Sequence, residues 1–105
     1  MRKSDIEPAK FDKAINLVNN GMRDQEEVIL NALKAGRFLL SMHAARRMKQ
    51  RSVTAADIRA CGRTAKCCCF QAQQGTWRIE GEDLDGEILT VVCGIDNEVV
   101  VVTIF

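Results

Sequence analysis

The feature that most constrains this chain is a change of hydrophobic period after Arg63. Before it, apolar residues recur every three or four positions; beyond it they alternate, or run on in short stretches cut by Gly, Asp and Asn. The first pattern buries one stripe of a helix, and the second buries one or both faces of a pleated strand. A chain of 105 residues supports one domain with one modest core. Its two halves must therefore cover each other. The expected class is α+β, with N-terminal helices packed on a small four-stranded antiparallel sheet.

The helical half divides at its caps. Pro8 suits a first helical turn, Phe11, Ala14, Ile15 and Val18 follow at helical spacing, and Gly21 can stop the helix, so one is predicted near 9–20. Asp24 with Glu27 three residues on starts a second near 25–35, with Val28, Ile29, Ala32 and Leu33 as its stripe and Gly36 as its stop. Phe38-Leu39-Leu40 reads as a brief strand or a buried turn. Ser41 caps a helix over 42–51. Thr54 caps another over 54–61, with Asp57 completing the cap, Ile58 and Cys61 facing inward and Gly62 closing it.

Four strands are predicted near 66–73, 76–81, 87–94 and 98–105. Gln74-Gly75, Glu82–Gly86 and Asp96-Asn97 supply the turns, and connections this short imply an antiparallel meander. The last two strands are apolar on both faces, so they should be central or covered by helices.

Several function classes drop out. No apolar run approaches the roughly 20 residues of a membrane helix, and the polar start M-R-K-S-D-I-E-P is no signal peptide. Five cysteines, three of them consecutive, fit a reducing compartment, and a cytoplasmic location is expected. Cys67-Cys68-Cys69 lacks the C-x-x-C spacing of zinc sites, and in a strand Cys68 points opposite to its neighbours. Packing as small apolar residues in a buried strand is the expected role, with no metal. No Walker loop, G-x-G-x-x-G, H-E-x-x-H or G-x-S-x-G occurs, so no nucleotide cofactor is expected.

Chemistry concentrates between Ser41 and Asp57. At 100° per residue, His43, Arg46, Arg47, Gln50 and Arg51 share one polar arc, and Ala44, Ala45 and Met48 lie opposite. Such an arc can grip a phosphodiester and move a proton beside it, or it can be a solvated basic face with a histidine that caps or packs. Residues 43–66 carry seven Lys/Arg against Asp57 alone, while residues 76–105 carry seven Asp/Glu against Arg78 alone. The basic middle can attract a polyanion, or the two patches can meet in the fold or across a dimer. The net charge of +1 and the composition leave the oligomeric state open.

The ordered pattern S-x-H-A-x-x-R-M-x-x-R-x-V-T-x-x-D-I, then alternating strands, then L-T-V-V and a final V-V-T-I-F, resembles a bacterial family of domains of unknown function, DUF4258, over roughly residues 26–105. The matched positions are Ser41, His43, Ala44, Arg47, Met48, Arg51, Val53, Asp57, Ile58 and Thr103. The extent of the resemblance implies a single α+β domain over residues 26–105 and an N-terminal helical extension over residues 1–25. That family is similar to RelE-like and barnase-like ribonuclease toxins, so the resemblance implies helices on a small antiparallel sheet and an RNA-cleaving or RNA-binding ancestry. The sequence departs from the family pattern twice. Ser52 stands where a glycine commonly follows the second arginine, and the usual final T-V-Y is T-I-F, which removes a terminal hydroxyl.

Three readings follow. In the first, the protein is a metal-independent endoribonuclease of toxin type. His43 then serves as acid or base, Arg47 and Arg51 hold the phosphate, and Thr103 orients a group from the sheet. Arg46, Lys49 and Arg63 add phosphate-binding charge. In the second, it is a non-catalytic domain that binds RNA or an antitoxin-like protein. In the third, His43 and Arg51 belong to an internal network that ties helix to sheet.

Overall fold

A computed structural model describes residues 18–105. Among these described residues, three helices, α1 (Val18–Ala35), α2 (Met42–Arg51) and α3 (Ala55–Arg63), precede or flank a five-stranded sheet. The strands are β1 (Leu39–Leu40), β2 (Cys67–Gln71), β3 (Thr76–Glu82), β4 (Ile88–Asp96) and β5 (Glu98–Ile104), in the order β1-β5-β4-β3-β2.

The α+β class and the meander from β2 to β5 agree with the sequence reading. The sheet is not four-stranded and antiparallel, however. It is mixed, because Leu39 and Leu40 pair in parallel with Val100 and Val101. Two residues carry no readable period, so this strand was indistinguishable from a turn. The predicted helix over 9–20 lies mostly outside the described residues. Gly21 does not separate two helices, since α1 continues through it from Val18. A glycine inside a helix costs only about 1 kcal/mol, which later packed turns offset. The stop at Gly36 holds. Its φ is 78°, Gly36 N–H bonds Leu33 C=O and Arg37 N–H bonds Ala32 C=O, the double closure of a left-handed cap.

One face of the sheet carries the core. Trp77, Ile79, Leu89, Val91, Cys93, Val99, Val101 and Ile104 meet Ile29 and Leu33 of α1, Ala44 and Met48 of α2, and Ile58 and Cys61 of α3. Ala45, expected on the apolar side of α2, is exposed. Gly62 does not close α3 but lies within it, and a Cβ there would sit 2.8 Å from Leu33 Cβ. Its role is to let α3 approach α1 closely. The Thr54 cap is as predicted. Thr54 Oγ1 accepts from Asp57 N–H, and Asp57 Oδ2 accepts from Thr54 N–H. Asp57 also reaches beyond its helix, where Oδ1 accepts from Leu84 N–H in the β3–β4 turn at 3.0 Å.

A register shift between Val92 and Cys93 decides what β5 presents. Val92 pairs with Thr103 and Cys93 with Val101, so Val102 has no partner and bulges. The extra residue inverts the alternation. Val101 and Ile104 both face the core, while Thr103 turns outward beside Val92 and Arg78.

At the end of α2, Ser52 adopts φ 56° and ψ 40°, the left-handed region, and Val53 N–H bonds Met48 C=O at 2.8 Å. An L side chain is strained there, and glycine is not. Ser52→Gly is therefore expected to stabilise the fold by about 0.5–1 kcal/mol, the strain relief less the entropy that glycine adds to the unfolded chain. Urea unfolding with an unchanged slope measures it, and a loss of stability would show that the serine makes a contact worth more than its strain.

Candidate nucleic-acid interface

The surface begins with the way α2 is fastened to β5. Ser41 Oγ accepts from Ala44 N–H at 2.9 Å, the expected cap. The same hydroxyl donates to Val102 C=O at 2.7 Å, and Ser41 N–H donates to Val101 C=O. With Ala44 and Met48 in the core, α2 lies along the edge of β5. One turn on, Arg47 is half-buried and its Nε donates to Ile104 C=O at 3.3 Å.

Arg47 then passes round the strand edge to the outward side. Its guanidinium carbon lies 5.9 Å from the centre of the Phe105 ring, and that of Arg78, from β3, lies 5.7 Å from the same centre. Phe105 is held in place because its N–H and C=O both pair with Thr90. Each cation is attracted to the ring within the usual reach of about 6 Å. An anion placed beside the ring within reach of both guanidiniums would be attracted by each. Thr103 lies on this face, half-buried, with Oγ1 at a long 3.5 Å from Ile104 C=O.

His43, Arg46 and Arg51 are exposed along α2, and their side chains hydrogen-bond no described residue. His43 and Arg51 flank Arg47 by one turn on each side, so the polar arc exists as predicted. Among the described residues, the ties between α2 and the sheet are made by Ser41 and Arg47, not by His43 or Arg51. Lys49 is exposed but lies about 200° around α2 from Arg47, on the other flank. Arg63, at the end of α3, lines a separate open cleft with Ala56, Arg59 and Leu84. The acidic and basic patches touch where Lys66 meets Glu82 at 3.0 Å.

Sequence reasoning missed Arg78 as a site residue. Its alternation with Trp77 and Ile79 marks it as outward-facing, but the bulge that brings Phe105 to it leaves no sequence trace. It also misplaced Cys67 and Cys69, while Cys61 faces inward as expected. Cys61 and Cys93 are buried in the core, and burial pushes their thiols up to about 11 and about 12. Cys67 and Cys69 instead lie exposed on β2, because β2 is an edge strand and not a buried one. Among the described residues, no three His, Cys, Asp or Glu side chains gather as a metal site, and no helix is long and apolar enough to cross a membrane.

Residues 40–105 match the family described as domain of unknown function DUF4258. The chain belongs to this family. The matched span starts at the end of β1 and takes in α2, α3 and the rest of the sheet, hence every residue of the Arg47–Phe105–Arg78 cluster. No curated protein and no solved structure matches the chain. The α1 helix precedes the span shared with other DUF4258 domains.

Proposed function

We propose that this DUF4258 domain binds the phosphate backbone of single-stranded RNA on the surface formed by α2 and the outward end of β5. The Phe105 ring, 47% exposed and flanked by Arg47 and Arg78, carries the reading. An exposed ring beside cations suits an unpaired base and its phosphate, which a duplex would not offer. Arg46 and Arg51 extend the charge along α2. Helices on one face of the antiparallel β2–β5 meander are also what a RelE-like arrangement requires.

A second reading adds cleavage. His43 stands one turn from Arg47, exposed and without a hydrogen-bond partner among the described residues, where it can exchange protons with a bound ribose. The protein would then be a toxin-type, metal-independent endoribonuclease. Phe105 supplies no hydroxyl as a second proton-transfer group, which favours binding over catalysis.

Fluorescence anisotropy with a labelled single-stranded oligoribonucleotide tests both. Arg78→Ala and Arg51→Ala should each weaken binding about tenfold at low salt, the scale of one charge-assisted contact. Each should also lower the salt slope by about one unit. His43→Ala should spare binding, and it should abolish cleavage if the wild type cleaves. A folded wild type that binds no RNA refutes the proposal, and an antitoxin-like protein would become the partner to seek.

A further inference from the structure

The Cys67 and Cys69 thiols lie on the outward face of β2, both exposed, with their sulfurs 3.6 Å apart. We propose that this pair is a two-coordinate site for a soft monovalent metal ion, cuprous copper.

The strand creates the pair. Alternate residues of a strand share a face, so Cys67 and Cys69 point the same way and Cys68 points to the other. Cys68 accordingly is half-buried and packs against the core. The backbone of β2 is fixed by continuous pairing with β3, from Cys67 opposite Glu80 to Gln71 opposite Thr76. The sulfurs can therefore move only by side-chain rotation.

Two other fates for such a pair fit less well. A disulfide needs sulfurs about 2.05 Å apart and Cα atoms within about 6.8 Å. Alternate residues of a strand already stand about 6.8 Å apart, so closure would strain the β2–β3 ladder. Zinc needs four ligands, and among the described residues no third His, Cys, Asp or Glu joins the pair. Soft thiolates favour cuprous copper, which is content with two ligands in line. A linear bridge separates the sulfurs by about twice a metal–thiolate bond, roughly 4.6 Å on the zinc–sulfur scale. Two exposed side chains reach that by opening slightly from 3.6 Å.

The charges also close. Cuprous ion and two thiols give a bis-thiolate complex and two released protons, with copper remaining monovalent. The complex carries one negative charge. Arg78 stands opposite Cys69 in the ladder and offsets that charge, against Glu80 opposite Cys67. Both sulfurs bind as thiolates, so the metal displaces a proton from each.

The test uses reduced full-length protein under anaerobic conditions. A cuprous–acetonitrile complex is titrated in competition with the chromophoric chelator bicinchoninate. The wild type should withdraw one copper per chain and elute from size exclusion at the volume of the copper-free protein. Cys68→Ser should do the same. Cys67→Ser and Cys69→Ser should each fall to the level of the double variant, with far-UV circular dichroism unchanged because both positions are exposed. Copper uptake that survives in the double variant, is equally lost in Cys68→Ser, or appears only as a copper-bridged dimer would overturn the assignment. Zinc retained as tightly as copper would overturn the two-coordinate geometry.

Discussion

Gly81→Ala should destabilise the fold by about 3 kcal/mol, the upper end of ordinary overpacking costs. A Cβ at Gly81 would clash with the Cys61 carbonyl oxygen and stand 3.0 Å from Thr64 Oγ1. Neither neighbour can yield cheaply. The first is helix backbone. The second is fixed by Ala60 C=O, which accepts from it at 2.8 Å, and by Glu82 N–H, which donates to it at 2.8 Å. To admit the methyl, α3 must lift from β3 and loosen Ile58 and Cys61 in the core. Gly86 is the control, since nothing lies within 4 Å of a Cβ there but its φ is +84°. Gly86→Ala should cost about 1 kcal/mol through backbone strain alone. Urea midpoints at constant slope compare the two, and equal costs would mean that α3 does not approach β3 this closely.

Asp57→Ala should cost about 2–3 kcal/mol at neutral pH, more than a helix cap alone, for which about 1 kcal/mol is typical. The excess comes from Leu84 N–H, which would lose its charged acceptor. Asp57 is nearly covered, at 9% exposure, but it sits shallow beneath a surface turn, so water screens part of this gain. Backbone hydrogen bonds from Thr54 and Leu84 hold its carboxyl below the ordinary value, against the smaller opposing effect of burial. A carboxyl depressed in the folded state binds its proton more weakly there than in the unfolded chain. Its contribution is therefore complete above the unfolded value, about pH 4, and is lost as pH falls through the lower folded value. The stability gap between wild type and Asp57→Ala should narrow as pH drops below about 4. A gap that stays constant down to acid unfolding would refute the carboxylate's role.

What the sequence made legible follows signal length. The hairpins joining β2 to β5, the Ser41 and Thr54 caps and the polar arc of α2 each occupy several residues with a physical period or a turn residue. The observed α2, Met42–Arg51, therefore coincides with its expected range. What stayed hidden depends on partners remote in sequence. Leu39-Leu40 becomes a strand only because Val100-Val101 lies beside it. Gly62 looks like a stop until Leu33 is seen against it. Arg78 joins the Arg47–Phe105 cluster only because a one-residue bulge at Val102 turns Phe105 outward. The exposure of Cys67 and Cys69 follows from strand order, which alternation cannot reveal. His43, by contrast, was as visible in the sequence as in space, because its placement is local to one helix.

The fastening of α2 has a consequence for how this sheet can grow. Along β5, Leu39 and Leu40 occupy the ladder at Val100 and Val101, Ser41 takes the carbonyls of Val101 and Val102, and Arg47 takes that of Ile104. An incoming strand finds little open backbone on that side. At the opposite end of the strand order, Cys67–Gln71 pairs with β3 alone among the described residues. Among the described residues, the backbone open to another polypeptide's strand thus lies on one side of the sheet. Whatever docked there would run its chain alongside the paired thiols, away from the Arg47–Phe105 surface.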